Sequence, residues 1–261
     1  HTFVERAEIA FDLIASFQGK DPLPGSLLNE EAQGKIMHEL RNGFTSPAYL
    51  LALKDHNYPV KVKEDGSMEM IYFGAGDTTS RFITSVAILA RFKEGMISPD
   101  ARNLYIEKMW TNVMAAYNHE TKLADTSGYR LIDSIPQNID ALLNHTEKDS
   151  NLSYITEEGL IPRPPYLFLS NNCHFLEAIA EIAWMAEKRG DKALAAEARN
   201  RYAQGLEDLP RMFWMKDKQY FSPLVDGEGN QVKIITDEAL DGLWCGVFKQ
   251  PYADRVVERI L

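Results

Sequence analysis

The chain has 261 residues, 45% of them hydrophobic, 10% aromatic and 25% charged, which is the composition of an ordinary globular protein and excludes wholesale disorder or collagen-like repeats. Its 28 Lys and Arg stand against 38 Asp and Glu, a formal charge of −10, and no basic run interleaves with aromatics, so neither nucleic acid nor an anionic membrane surface is an expected partner. Apolar stretches such as residues 85–90 and 178–186 break off well before the roughly 20 residues of a membrane span, and Glu5, Arg6 and Glu8 interrupt the apolar region that a signal peptide requires.

In chain order, the first strand signal is a hairpin, residues 60–62 with 68–72, joined by Lys63-Glu64-Asp65-Gly66-Ser67. A helix is predicted over 81–94, where Phe82, Val86, Leu89 and Ala90 share a face and Asp77-Thr78-Thr79-Ser80 offers capping groups ahead of it. Residues 101–117 and 139–143 also read as helical. From 172 to 189 the stripe Leu176, Ile179, Ala180, Ala183 and Ala186 predicts a helix stopped by Gly190. Asp191 opens another, with Leu194, Ala198, Tyr202, Leu206, Leu209 and Phe213 recurring every three or four residues. Residues 220–225 followed by Asp226-Gly227-Glu228-Gly229-Asn230 give a second hairpin signal, and the tail from 253 is helical.

Between these elements some turns are short, as at Arg189-Gly190-Asp191, whereas 43–70, 120–136, 144–170 and 216–235 read as long loops rich in polar and ring residues. Long loops of this kind are usually functional or disordered, and their Trp, Tyr, Asp, Asn and Arg content favours function. Helix pairs with short turns at one end and long loops at the other predict an all-α fold, an (α/α)6 toroid of helical hairpins with short β-hairpins in the loops. No break in composition divides residues 1–261, which read as one domain. A ring of about twelve helices does not close comfortably within this length, so an incomplete toroid, cut within a C-terminal helix, is expected.

Several residues can carry chemistry. Breaking an acetal takes one carboxylic acid to protonate the leaving oxygen and a second carboxylate opposite it. Asp149, in the loop Asn144-His145-Thr146-Glu147-Lys148-Asp149-Ser150, can be that acid, with Glu147 a neighbour of similar chemistry; both can equally be solvated loop charges. Asp77 at a helix entrance either accepts from sugar hydroxyls or caps the helix. His38-Glu39-Leu40-Arg41 lacks a second His at position 42, where Asn stands, so it is no zinc-peptidase motif. Cys173 and Cys245, too few for a disulfide framework or a zinc site, read as buried thiols in a reducing cytoplasm, and neither metal nor cofactor is expected. Trp110, Trp184, Trp214 and Trp244 fall to the core by default; Trp214, at a helix end near the Tyr220 hairpin, is the strongest exception. Trp244 lies in a run whose small residues permit close packing.

Six segments together resemble the six-hairpin glycosidases, specifically the glycogen-debranching-type amylo-α-1,6-glucosidases and related glucosidases. Gly34-Lys35-Ile36-Met37-His38-Glu39-Leu40-Arg41-Asn42-Gly43 resembles that family's "GKI-HE-R-G" stretch, and Tyr72-Phe73-Gly74-Ala75-Gly76-Asp77-Thr78-Thr79 resembles "YYGSVDATPLF". Residues 144–150 resemble "NQGWKDS", Asn172 falls at the Asn after "PVEV", Phe213-Trp214 and the following hairpin resemble "FW…GYF…DGDG", and Leu243-Trp244-Cys245-Gly246-Val247 resembles "LLWSGI". The resemblance implies a glycoside hydrolase cleaving an α-glucosidic or related linkage by an inverting two-carboxylate mechanism, on an oligosaccharide or glycoside substrate. It makes Asp149 the general acid, with Arg41, Tyr72, Asp77, Asn172, Trp214 and Trp244 on the substrate, and puts the catalytic base beyond Leu261. His145-Thr146-Glu147 replaces the family's Gln-Gly-Trp, and Ser170 stands where Glu is frequent. Two other readings compete: a polysaccharide lyase or sugar epimerase on the same toroid, using a Tyr or His base such as His38, His145 or His174, and a non-catalytic helical interaction module.

Overall fold

The structure, a computed structural model, describes residues 3–20, 30–44, 60–135, 144–146, 148 and 153–260. It is mostly helical. Helix α1 (Phe3–Ser16) lays Val4, Ala7, Phe11 and Ile14, spaced three and four apart, onto the core. Strands β1 (Glu39–Phe44), β2 (Val60–Val62) and β3 (Met68–Tyr72) form an antiparallel sheet in the order β1-β3-β2. Glu39 pairs with Tyr72 and Val62 with Met68, and the register slips between Asn42 and Phe44, where Gly43 takes φ +78°. The β2–β3 hairpin matches the sequence prediction residue for residue. Strand β1 was not foreseen, because Arg41, Asn42 and Gly43 are weak strand formers and sheet pairing overrides them.

Two helical hairpins build the core. Helices α2 (Thr78–Met96) and α3 (Pro99–Thr126) turn over Ile97 and Ser98, whose hydroxyl caps α3 by accepting from the Ala101 amide at 3.1 Å, with Pro99 opening the helix. Helices α4 (Leu169–Lys188) and α5 (Lys192–Phe213) turn at Gly190, which takes φ +80° while Asp191 N–H returns to the Ala186 carbonyl at 2.9 Å. The Asp191 carboxylate then caps α5 by accepting from Leu194 N–H at 3.0 Å. Helices α2 and α4 pack on each other, α1 packs on α2, and the hairpin partners α3 and α5 flank them. Ile83, Val86, Ala87, Leu176, Ile179, Ile182 and Met185 are fully buried along this seam.

Helix α3 runs to Thr126, so the first part of the predicted 120–136 loop is helix. The predicted helix at 139–143 lies outside the described residues. Strands β4 (Leu167–Phe168), β5 (Trp214–Met215), β6 (Tyr220–Phe221) and β7 (Leu224–Val225) form two short antiparallel pairs, β4 with β7 and β5 with β6. The turn at 226–230 closes an antiparallel bridge between Val225 and Gln231, as the Asp-Gly-Glu-Gly-Asn run predicts. Helix α6 (Ala239–Trp244) packs on α4, and α7 (Tyr252–Ile260) on α6 and β6. The small residues of the α6 run do permit close packing: a Cβ on Gly242 would stand 2.2 Å from the Phe248 ring. That ring stacks on Phe221 with centroids 4.0 Å apart. No helix among the described residues is long and apolar enough to cross a membrane.

Candidate functional site

Helices α2 and α4 both begin at the loop-rich end, and the segments leading into them meet there. Tyr72 ends β3, its carbonyl accepting from His38 N–H at 2.8 Å, and Phe73-Gly74-Ala75-Gly76 carries the chain to Asp77. Gly76 N–H donates to the His145 carbonyl at 2.8 Å, and Asn171 on the first turn of α4 reaches the same carbonyl with its amide at 3.5 Å. A Cβ at position 76 would lie 2.1 Å from the Asn171 amide nitrogen, so any larger residue there must displace the Asn171 side chain. Three separate stretches of chain, those of Asp77, His145 and Asn171, are thereby locked together.

The loop following residue 144 is wound tightly at its start. The Asn144 side chain is buried; its carbonyl accepts from Thr146 N–H at 3.0 Å and Thr146 hydroxyl at 2.8 Å, and its amide donates to the Lys148 carbonyl. Lys148 reaches across to Asp237, 2.7 Å from its carboxylate and one residue ahead of the Glu238 that caps α6. Asp149 and Glu147 lie outside the described residues. Their described neighbours stand between the entrances of α2, α4 and α6.

Beneath this junction lies a polar chamber of about 140 Å³, bordered by Lys35, Gly76, Glu120, Ser134, His145 and Asn171. That is below the ~300 Å³ at which small-molecule sites begin, so the chamber does not itself admit a sugar ring. The buried His145 ring spans it, Nδ1 lying 2.7 Å from Ser134 Oγ and Nε2 3.0 Å from a carboxylate oxygen of the buried Glu30. Lys35 Nζ is 3.7 Å from the other Glu30 oxygen. Burial pushes the Glu120 carboxyl up to about 8, with the nearby Asp77 charge adding to the effect and Lys35 opposing it. Burial and the Lys35 charge hold the His119 imidazole down to about 4. Burial raises the Asp133 carboxyl as well.

The residues singled out from the sequence separate into three groups. Asp77 sits at the N-cap of α2 without making a cap hydrogen bond; its carboxylate pairs with Arg81 one turn on, Nε to Oδ2 2.6 Å. Trp244, on α6, is 82% exposed and presents an open ring face. Tyr72 is buried at the end of β3, edge-on to His38, and Arg41 lies on the exposed face of β1 beside Glu39, with Nε 2.5 Å from its carboxylate.

Asn172 and Trp214 both make framework contacts. Asn172 is fully buried, its carbonyl accepting from Ile132 N–H at 2.8 Å and its amide donating to the carbonyls of Ile132 at 3.0 Å and Phe168 at 2.9 Å. It holds the 131–133 segment to the start of α4. Trp214 is the C-cap of α5, at the helix end as expected, and opens β5; it stands edge-on to Phe221 at 5.0 Å and Tyr252 at 4.8 Å. Cys173 is buried as expected, but Cys245 is only partly so; both are free thiols. Sequence reasoning missed Asn171 and the buried grouping of Glu30, His145 and Ser134. Only Gly76, a second glycine just ahead of a helix, hinted at the close approach.

No protein-family model matches the chain, and no curated protein matches it. Among solved structures the chain is similar to a GH78 family rhamnosidase of Bacillus sp. GL1, with a TM-score of 0.52 at 14% identity. The match covers 70% of this chain and 17% of that one, so the chain spans less than a fifth of the rhamnosidase's length. The likeness is one of fold alone.

Proposed function

We propose that the chain is a helical catalytic region of a glycoside hydrolase, built as part of an (α/α)6 toroid, that cleaves an α-glucosidic or related linkage with inversion. The observation that carries this reading is the convergence of the Asp77, His145–Lys148 and Asn171 segments at one end of two helical hairpins whose fold resembles that of a glycosidase. In this reading Asp149 is the general acid; it follows Lys148, which pairs with Asp237 and whose carbonyl accepts from the Asn144 amide. Asp77, oriented by Arg81, accepts hydrogen bonds from sugar hydroxyls, and the open ring of Trp244 stacks on an apolar sugar face. A second carboxylate, assigned to no residue here, activates water from the opposite side at roughly 6.5–9.5 Å from the acid. The substrate is an oligosaccharide or glycoside and the compartment the cytoplasm.

The test is hydrolysis of a panel of α-linked disaccharides and aryl α-glycosides, with the anomer of the first-formed sugar followed by NMR. Asp149→Asn should lower turnover by about 10²–10⁴-fold, the contribution of one general acid, and leave KM within a few-fold. An Asp149→Asn enzyme within tenfold of the unmutated one removes Asp149 from the mechanism. An unsaturated or epimerised product replaces hydrolysis with lyase or epimerase chemistry.

A further inference from the structure

We propose that His174, Glu177 and Cys245 form a binding site for a divalent transition metal, zinc above all, with the Asp241 carboxylate on the far side of the histidine ring. The proposal stands apart from the hydrolase reading, because none of these residues has a part in it. His174 and Glu177 are one turn apart on α4, and Cys245 follows α6 where that helix crosses α4. One ligand atom from each of the three lies within 4.8 Å of the other two. Nδ1 of His174 is 3.3 Å from Cys245 Sγ and 3.7 Å from Glu177 Oε2. Bonds of about 2.0–2.3 Å at tetrahedral angles put ligand atoms about 3.3–3.8 Å apart, so both edges already have the length that zinc requires.

The second ring nitrogen supplies an independent observation. His174 is only 2% exposed, and its Nε2 has no hydrogen-bond partner; the nearest carboxylate oxygen, Oδ1 of Asp241, is 3.7 Å away. A carboxylate facing the far nitrogen of an imidazole is the arrangement that sets the tautomer and raises the basicity of zinc-bound histidine. In the tautomer that carries its proton on Nε2, on the Asp241 side, Nδ1 presents a lone pair to the same point as a sulfur and a carboxylate oxygen. The single S–H proton can serve one of the two other acceptors, whereas a cation satisfies all three.

The donor set also selects the metal. Nitrogen, sulfur and oxygen together suit zinc and its neighbours, while magnesium and calcium demand oxygen alone. A thiolate and the Glu177 carboxylate would balance the charge of a divalent ion. Burial and Glu177 push the Cys245 thiol up in the metal-free chain, so uptake releases a proton as the coordinating sulfur ionises. Three protein ligands leave a fourth position for water, the pattern of reactive rather than purely structural zinc.

The experiment is a titration of the full chain, stripped with chelator, first with Co²⁺ as a spectroscopic probe and then with Zn²⁺. One equivalent of Co²⁺ should give a thiolate-to-cobalt charge-transfer band in the near ultraviolet and the intense visible bands of a tetrahedral ion, both bleached by Zn²⁺. Cys245→Ser should abolish the charge-transfer band. Glu177→Gln should weaken binding at least tenfold, and Asp241→Asn should weaken it about 10–100-fold while keeping the band. A folded wild-type chain that develops no band overturns the proposal without recourse to any variant. So does a band that survives Cys245→Ser, or one whose affinity is the same in Glu177→Gln.

Discussion

The amide of Gly76 and the carbonyl of His145 meet at 2.8 Å, joining the entrance of α2 to the loop that leads to Asp149. A side chain at position 76 must push Asn171 aside, because its Cβ would sit 2.1 Å from the Asn171 amide nitrogen and 3.2 Å from the very carbonyl that Gly76 bonds. Gly76→Ala should therefore cost about 1–3 kcal/mol, the range for forced overpacking, read as a shift in the urea midpoint at constant m. It should also depress turnover by more than the lost folded fraction explains. A variant as stable and as active as the parent would show that the two segments are not held against each other.

Asn172 gives a second, purely structural prediction. Its side chain pairs with both backbone groups of Ile132, and truncation to Ala strands two polar groups in a buried setting. Asn172→Ala should destabilise the fold by about 2–4 kcal/mol. If the proposed hydrolase activity holds, the folded fraction should keep the parent's KM, because the Asn172 side chain is engaged by the backbone of Ile132 and Phe168. A variant of undiminished stability with a raised KM would restore Asn172 to the sugar.

His119 makes stability depend on pH. Burial, reinforced by Lys35, holds its folded value down to about 4, against 6.5 for a free imidazole. Between those two values the unfolded chain carries a proton that the folded chain refuses. Stability from this group is therefore complete above pH 6.5 and is lost as the pH falls toward 4. Glu120, pushed up to about 8, acts with the opposite sign, its folded form holding an extra proton between about 4.5 and 8. Comparing the wild-type chain with His119→Gln cancels Glu120, which both contain. The stability difference between the two should fall by about 1–3 kcal/mol from pH 7 to pH 4 in urea titrations. Parallel pH profiles would refute it.

Helices were the most legible part of the chain, because their signals are local. The α4–α5 hairpin, with Gly190 as stop and Asp191 as cap, follows directly from a 3.6-residue apolar stripe on either side. Strand β1 was opaque because pairing with β3, not the propensity of Arg41-Asn42-Gly43, makes it a strand. Asp77 was legible as a carboxylate at a helix entrance, yet its partner Arg81 decides its orientation. Asn172 illustrates the limit: its position in a family-like motif says nothing about which way the amide points, and tertiary burial turned it to Ile132. The His174–Glu177–Cys245 group was out of reach for a similar reason. A histidine and a glutamate three apart are common on helices, and only the crossing of α6 over α4 brings the thiol to them.

Trp244 stands in open solvent, whereas Trp184 and Trp110 each lie under an arginine, 4.0 and 4.3 Å from the ring centre, and Trp214 is walled in by rings. Iodide added to the native chain will reach one indole ahead of the others. The red edge of the tryptophan emission is thus a private optical channel from α6, one residue from the Cys245 sulfur, through which events at that end of the molecule can be watched without attaching a dye.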